Sequence, residues 1–234
     1  LPDMGRAVLN TVGYIAGLLP MSVVLPLAAA IFTQDLPSRS RNLYRSLIFV
    51  PMIIAPVVVA VVWRWLLDPN HGAFNLALQT LGTPPIGFLQ DSRYAMATII
   101  WITGWKLIGF STLIFAAANA NIDQSYVEAA RLDGASEWAI IRDIRLPLLL
   151  PTTMFLTMMT VLLGAQWSFT YINVLTQGGP LKSTTNIYYV LWDYGFSNMT
   201  VGWSSAAGMM LLGAFAVLAV LLLRFSERKA TYDN

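Results

Sequence analysis

The sequence predicts an all-α, polytopic membrane helix bundle with five spans, and three observations carry that prediction. Hydrophobic residues make up 56% of the 234 and charged ones only 11%, with a mean hydropathy of +0.61. That is roughly half the charged share of a soluble domain, too little to cover the outside of a water-soluble globule this apolar. The charges are also gathered: the intervals 7–34, 46–63, 107–122, 146–181 and 194–223 carry none, and each, the third extended through Lys106 to 94, supplies the ~20 apolar residues of a spanning helix. Finally, Lys and Arg are lopsided between alternate connections. Nine of them (Arg39, Arg41, Arg45, Arg131, Arg142, Arg145, Arg224, Arg228, Lys229) fall on one side and four (Arg6, Arg64, Arg93, Lys182) on the other. The positive-inside rule puts residues 35–45, 119–146 and 225–234 in the cytoplasm, and residues 68–92 and 174–202 opposite.

Taken in order, the spans are expected at about 8–33, 46–67, 94–118, 148–173 and 203–224, within a single transmembrane domain over 1–234. The first is too long for a cleavable signal and lacks a basic leader and an A-x-A site. Pro20, Pro26, Pro51 and Pro56 interrupt the first two spans, which lipid permits only where neighbouring helices or a cavity satisfy the freed carbonyls. The chain opens Leu-Pro-Asp without an initiator methionine, and a further spanning helix is expected ahead of it. The formal net charge of +2 is too small for a nucleic-acid footprint. With no cysteine and a single histidine, His71 in a turn, thiolate and histidine metal sites and a cysteine nucleophile are excluded. No span or loop gathers a catalytic set.

The long connection 119–146 carries Asp123, Glu128, Asp133, Glu137 and Asp143 and has too few apolar residues to span, so it folds in water. Ser125 and Glu128 have the spacing of a capping box, which predicts a helix from Tyr126 of about two turns, closed by Gly134 in the left-handed conformation. Tyr126, Ala129, Ala130 and Asp133 share one face at i, i+3, i+4, i+7, the alanines leaving room for another surface. Ser136 is placed to cap a second helix to about Leu146, with Trp138, Ile141 and Ile144 as its apolar stripe.

Glu128-Ala129-Ala130, Asp133-Gly134-Ala135 and Ile144-x-Leu146-Pro147 together resemble the EAA loop of the permease subunits of bacterial binding-protein-dependent ABC importers. Trp105-Lys106 with Gly109-Phe110, and Leu175-Thr176-x-Gly178-Gly179-Pro180 with Thr184-Thr185, resemble the carbohydrate-uptake branch, in particular its first permease, of the maltose and glycerol-phosphate type. The resemblance covers nearly the whole chain. It implies a type I importer permease fold in the bacterial cytoplasmic (inner) membrane and a second permease as partner. It also implies an extracytoplasmic binding protein that delivers a sugar or sugar-like solute, and two ATPase subunits docked on Tyr126, Glu128, Ala129, Ala130, Asp133 and Gly134. ATP and Mg then belong to those subunits, in line with the missing G-x-x-x-x-G-K-[ST] phosphate loop; this chain carries no cofactor, metal or catalytic residue of its own.

Lys106 is the one charge deep in a span, where an ionisable side chain is costly and functional by default; it lines a cavity or is structurally paired. By the resemblance, Phe110, Gly164 and Ser168 lie at or near the substrate path, ordinary helix packing being the alternative for each. A neutral or weakly polar glycan-type solute is expected there, met by rings and hydrogen-bonding groups. Tyr171, Tyr188, Tyr189, Trp192 and Tyr194 read as interface-belt aromatics. From a different class, a secondary transporter or channel would account for Lys106 and the prolines without an ATPase, but there is no inverted repeat and no second buried charge to support it.

Overall fold

The computed structural model describes residues 3–34 and 37–230, the side chains of residues 38, 222, 223 and 225–230 excepted. Parts of two expected cytoplasmic segments, residues 35–36 and 231–234, thus lie outside the described residues, as does any helix before the first. Among the described residues four helices are long and apolar enough to cross a membrane, and a bent pair, counted as one span, makes a fifth. They are α1 (Met4–Phe32), α5 (Ala95–Ala120), α8 (Leu150–Thr176), α10 (Val201–Ala230, apolar to Leu221) and the pair α2 (Ser38–Ile53) and α3 (Pro56–Leu66). Short helices fill the connections: α4 (Ala73–Thr80), α6 (Gln124–Leu132), α7 (Glu137–Ile140, continued through Leu148) and α9 (Ile187–Trp192).

The prolines act differently in the two places where they were expected to interrupt a span. In α1 the chain stays helical and absorbs Pro20 in one wider π-turn over Pro20–Val24, which removes the amide that Pro lacks from the ladder without breaking it. Between α2 and α3 the expected single span folds into an elbow of 96°. Ala55 precedes Pro56 and is driven out of the helical region, at ψ 135°, and Ile54 before it sits at ψ 134°, as the proline ring demands of its predecessor. Pro56 then starts α3 at the position where a missing amide costs nothing.

α5 is the hub. It packs on α1, α2 and α8, and 61% of its most apolar stretch is buried, against 6% for α10. Gly109 is what lets α2 in: a Cβ there would run into the backbone of Ile48 and Phe49. Near one end of the bundle Tyr14, Val59, Trp63, Ile99, Ile102 and Tyr171 form a core, and near the other Val23, Ala30, Phe115, Ala116 and Leu156 form a second. Hydroxyls inside the bundle bond back to their own helices, as Thr11 to Ala7 O, Thr103 to Ile99 O and Ser168 to Gly164 O do at 2.7, 2.8 and 2.9 Å. This satisfies polar groups without water.

The connection after α8 is stitched to the first turns of α1. Arg6 Nη1 donates to Leu181 O at 3.0 Å, Asn10 Nδ2 to Thr185 O at 2.8 Å and the Tyr14 hydroxyl to Thr184 O at 3.1 Å, and Lys182 pairs with Asp3 at 2.7 Å. Gly178 holds φ +80° where this loop turns.

Candidate functional site

The first candidate site is the loop between α5 and α8. Helix α6 begins at Gln124, two residues before the expected start, because the cap is Asp123: its carboxylate accepts from the Ser125 amide at 2.9 Å. The Ser125–Glu128 capping box is therefore corrected to a one-sided Asp cap. An aspartate two residues earlier takes the amide first, and Glu128 is left exposed. That amide is the main reason the Asp123 carboxyl is held below the usual carboxylate range. At the other end Gly134 sits at φ +80°, and the Ala135 amide reaches Ala130 O at 2.9 Å while the Gly134 amide reaches Arg131 O at 3.1 Å. This paired closure needs a left-handed residue at Gly134.

Both ends of the short helix are thus fixed by its own sequence, and one residue anchors it: Val127 is 1% exposed. Tyr126, Ala129, Ala130 and Asp133 border a groove of about 610 Å³ whose far wall is Asp143, Ile144, Pro147 and Leu148. Ser136 caps α7 as expected, accepting from the Ala139 amide at 3.2 Å. Arg131 Nε bonds Glu137 Oε1 at 2.8 Å across the Gly134 turn, and this contact holds the Glu137 carboxyl below its usual range. The expected stripe needs one correction. Ile140, 1% exposed, points inward and Trp138 is 64% exposed, because the helix widens into a π-turn over Ile141–Arg145 and shifts the inward face. The sequence reading missed Val127 and Ile140 as anchors: Val127 lies between Tyr126 and Glu128, and Ile140 stands directly beside Ile141, so residue type alone does not single either out.

The second candidate site is a cavity of about 500 Å³ framed by the α2–α3 elbow, α5 and α8. Lys106 borders it, and its Nζ donates to Ile54 O, the carbonyl at the end of α2, where a cation also suits the helix dipole. Trp167, Thr170 and Tyr171 face it from α8. Of the four residues expected along a substrate path, Lys106 alone lines this cavity. Gly164 is buried on the face of α8 toward α1, where an added Cβ would come within 3.2 Å of Leu18 Cδ1. Ser168 is fully buried and bonded to Gly164 O. Phe110 packs against the other core, beside Val23 and Phe115. Tyr171, read from sequence as a belt residue, is 2% exposed in the cavity wall.

The described residues form a membrane bundle with a capped helical knob in the loop between α5 and α8. Residues 11–232 match the family described as "Binding-protein-dependent transport system inner membrane component", and the chain belongs to that family. Its relatives include the sn-glycerol-3-phosphate transport system permease protein UgpA of Yersinia pseudotuberculosis, 34% identical over 212 residues that cover 91% of this chain and 71% of the relative. Among solved structures, a bacterial ABC transporter involved in the import of the acidic polysaccharide alginate is similar with a TM-score of 0.88 and 25% identity, over 95% of this chain and 78% of that one. The same kind of transporter in complex with an alginate pentasaccharide-bound periplasmic protein is similar with a TM-score of 0.81 and 26% identity, over 94% and 76%. The fold is that of a type I ABC importer permease, and the chain is a multi-pass inner-membrane subunit.

Proposed function

We propose that the chain forms half of the translocation path for a sugar or sugar-like solute and couples it to ATP hydrolysis in partner subunits. A second permease completes the path, an extracytoplasmic binding protein delivers the solute, and two ATPase subunits holding ATP and Mg supply the work. The observation that carries this reading is α6: a helix of nine residues, closed at both ends by its own caps, held by Val127 and presenting Tyr126, Ala129, Ala130 and Asp133 outward. A helix this short is unstable alone, so capping and anchorage give it one fixed shape for a cleft to grip. Glu128 lies exposed beside that face, and Gly134 sets where the knob ends.

From α6 the route to the membrane is short. The Arg131–Glu137 pair ties it to α7, and α7 runs through Leu148 almost directly into α8. A push on α6 becomes a tilt of α8, one wall of the elbow cavity, and the two-state element is the pair of permeases opening to one side or the other. The loop 119–146 is the coupling segment within a single transmembrane domain, and it faces the cytoplasm.

Gly134→Pro and Glu128→Lys test this reading, since each strikes the knob and no span. Both variants insert in the membrane, yet co-purify less ATPase subunit and lose binding-protein-dependent uptake. Normal co-purification with normal uptake in both rejects the docking assignment.

A further inference from the structure

Lys106 sits in the middle of α5, 11 residues from its first residue, Ala95, or roughly 17 Å at the helical rise. The twelve acidic residues of the chain all lie in the connections and at the ends, at 3, 35, 68, 91, 123, 128, 133, 137, 143, 193, 227 and 233. None of the described ones borders the elbow cavity, whose walls are otherwise apolar, aromatic or neutral polar. The ammonium has three donors. One goes to Ile54 O, a neutral acceptor that orients the group without cancelling its charge.

One further feature of the same cavity favours a hydrogen-bond acceptor. Tyr171 is 2% exposed, and its hydroxyl is buried without a hydrogen-bond partner among the described residues; such a donor is expensive to leave unmet.

We propose that this cavity is an anion subsite, taking the phosphate or carboxylate of an acidic glycan-type solute against Lys106 and Tyr171. The inference rests on the transport reading and replaces the neutral solute expected from sequence. The rings of Trp167 and Phe169 in the same wall meet the uncharged part of the solute. Two of the similar proteins carry acidic cargo in their names, a phosphate ester and an acidic polysaccharide.

The test uses the assembled importer in proteoliposomes and a cysteine placed by Thr170→Cys, which the cysteine-free chain makes unique in this subunit. Its rate of modification is measured with an anionic (sulfonatoethyl) and a cationic (trimethylammonium-ethyl) methanethiosulfonate and normalised to Ser136→Cys in the exposed loop. The cavity position reacts about tenfold faster with the anionic reagent, as charge focusing in a low-dielectric cleft dictates. Lys106→Gln removes the preference and Lys106→Arg keeps it. sn-Glycerol 3-phosphate slows the modification where glycerol does not, or glucuronate does so where glucose does not; each pair isolates the charged group, and comparing the two pairs tells phosphate from carboxylate recognition. Tyr171→Phe weakens the protection while leaving the charge preference.

A preference unchanged by Lys106→Gln, with the variant still co-eluting with its partners, means that the charge is neutralised by the amine or by the second permease, and overturns the proposal. Equal protection by charged and uncharged solutes does the same. Loss of binding-protein-stimulated ATP hydrolysis in the Glu128→Lys complex reports on the transport reading alone, since the charge preference is set without it.

Discussion

Helices α5 and α10 are both apolar spans, and both contain glycines, but their glycines live in opposite surroundings. In α5, a Cβ at Gly109 would strike the backbone of α2, and one at Gly104 would collide with Met21 of α1; in α10, Gly202, Gly208 and Gly213 have nothing within 4 Å. Met209, Met210 and Leu212 around them are 63–69% exposed. Apolarity therefore does not tell which span organises the chain, because lipid rewards it as well as a core does. What separates the hub from the periphery is close approach: α5 has traded side-chain volume for contact with three neighbours, and α10 has not.

The same single methyl group breaks that comparison most sharply. Gly109→Ala places a Cβ against the Ile48 carbonyl, which is backbone and cannot swing away, and should cost about 2–3 kcal/mol. Gly208→Ala meets open space, loses helix-destabilising freedom and should stabilise the chain by about 0.5–1 kcal/mol. Melting of the detergent-purified subunit gives both values. A harmless Gly109→Ala contradicts the close approach of α2.

Gly164→Trp sharpens the distinction within the bundle at a cost of about 1–3 kcal/mol. Its nearest obstacle is the flexible tip of Leu18, so α1 is wedged from α8 without a backbone clash. The expected result is poorer assembly with the second permease, measured by size-exclusion chromatography. Normal assembly with blocked uptake would return the position to the substrate path.

The smallest effect lies outside the membrane. The carboxyls of Asp123 and Glu137 are held below the usual range by the Ser125 amide and by Arg131. A carboxyl whose folded value is lowered contributes stability above its unfolded value, about 4, and that contribution is lost as pH falls through the folded value. Protection of the amides of residues 124–132, taken relative to their intrinsic exchange at each pH, is expected to fall on acidification below about pH 4. Asp123→Asn caps as well without titrating, so the acid loss should shrink in that variant. An identical acid loss in Asp123→Asn would show that the cap does not control the helix.

Much of this architecture is legible in the sequence because membrane spans and capped loops are local. Charge-free intervals locate the spans of the described residues, Gly134 and Ser136 mark the two sides of the turn between α6 and α7, and Pro56 marks the elbow. The size of the elbow is not local: the carbonyl freed at Ile54 is answered by Lys106, 52 residues away. Asp123 and Ser125 compete to cap one helix, and only the fold shows which amide is taken. Tyr171 misled for a similar reason, since a tyrosine near a span's end has the same sequence signature whether it lies in a lipid belt or in a cavity wall. Gly164 and Ser168 carry small and polar character that suits either a path or a helix contact, and the side of the helix that each occupies is not legible from residue type.

The central claim is that α6 is gripped by an ATPase subunit, and a photo-crosslinking amino acid at Tyr126 tests it most directly. Tyr126 is 57% exposed on the groove face, while its neighbour Val127 is 1% exposed. In membranes holding the assembled importer, irradiation should yield an adduct with the ATPase subunit from position 126 and almost none from position 127. Adducts of equal yield at both positions, or none at 126 while the subunits still co-purify, would contradict the account.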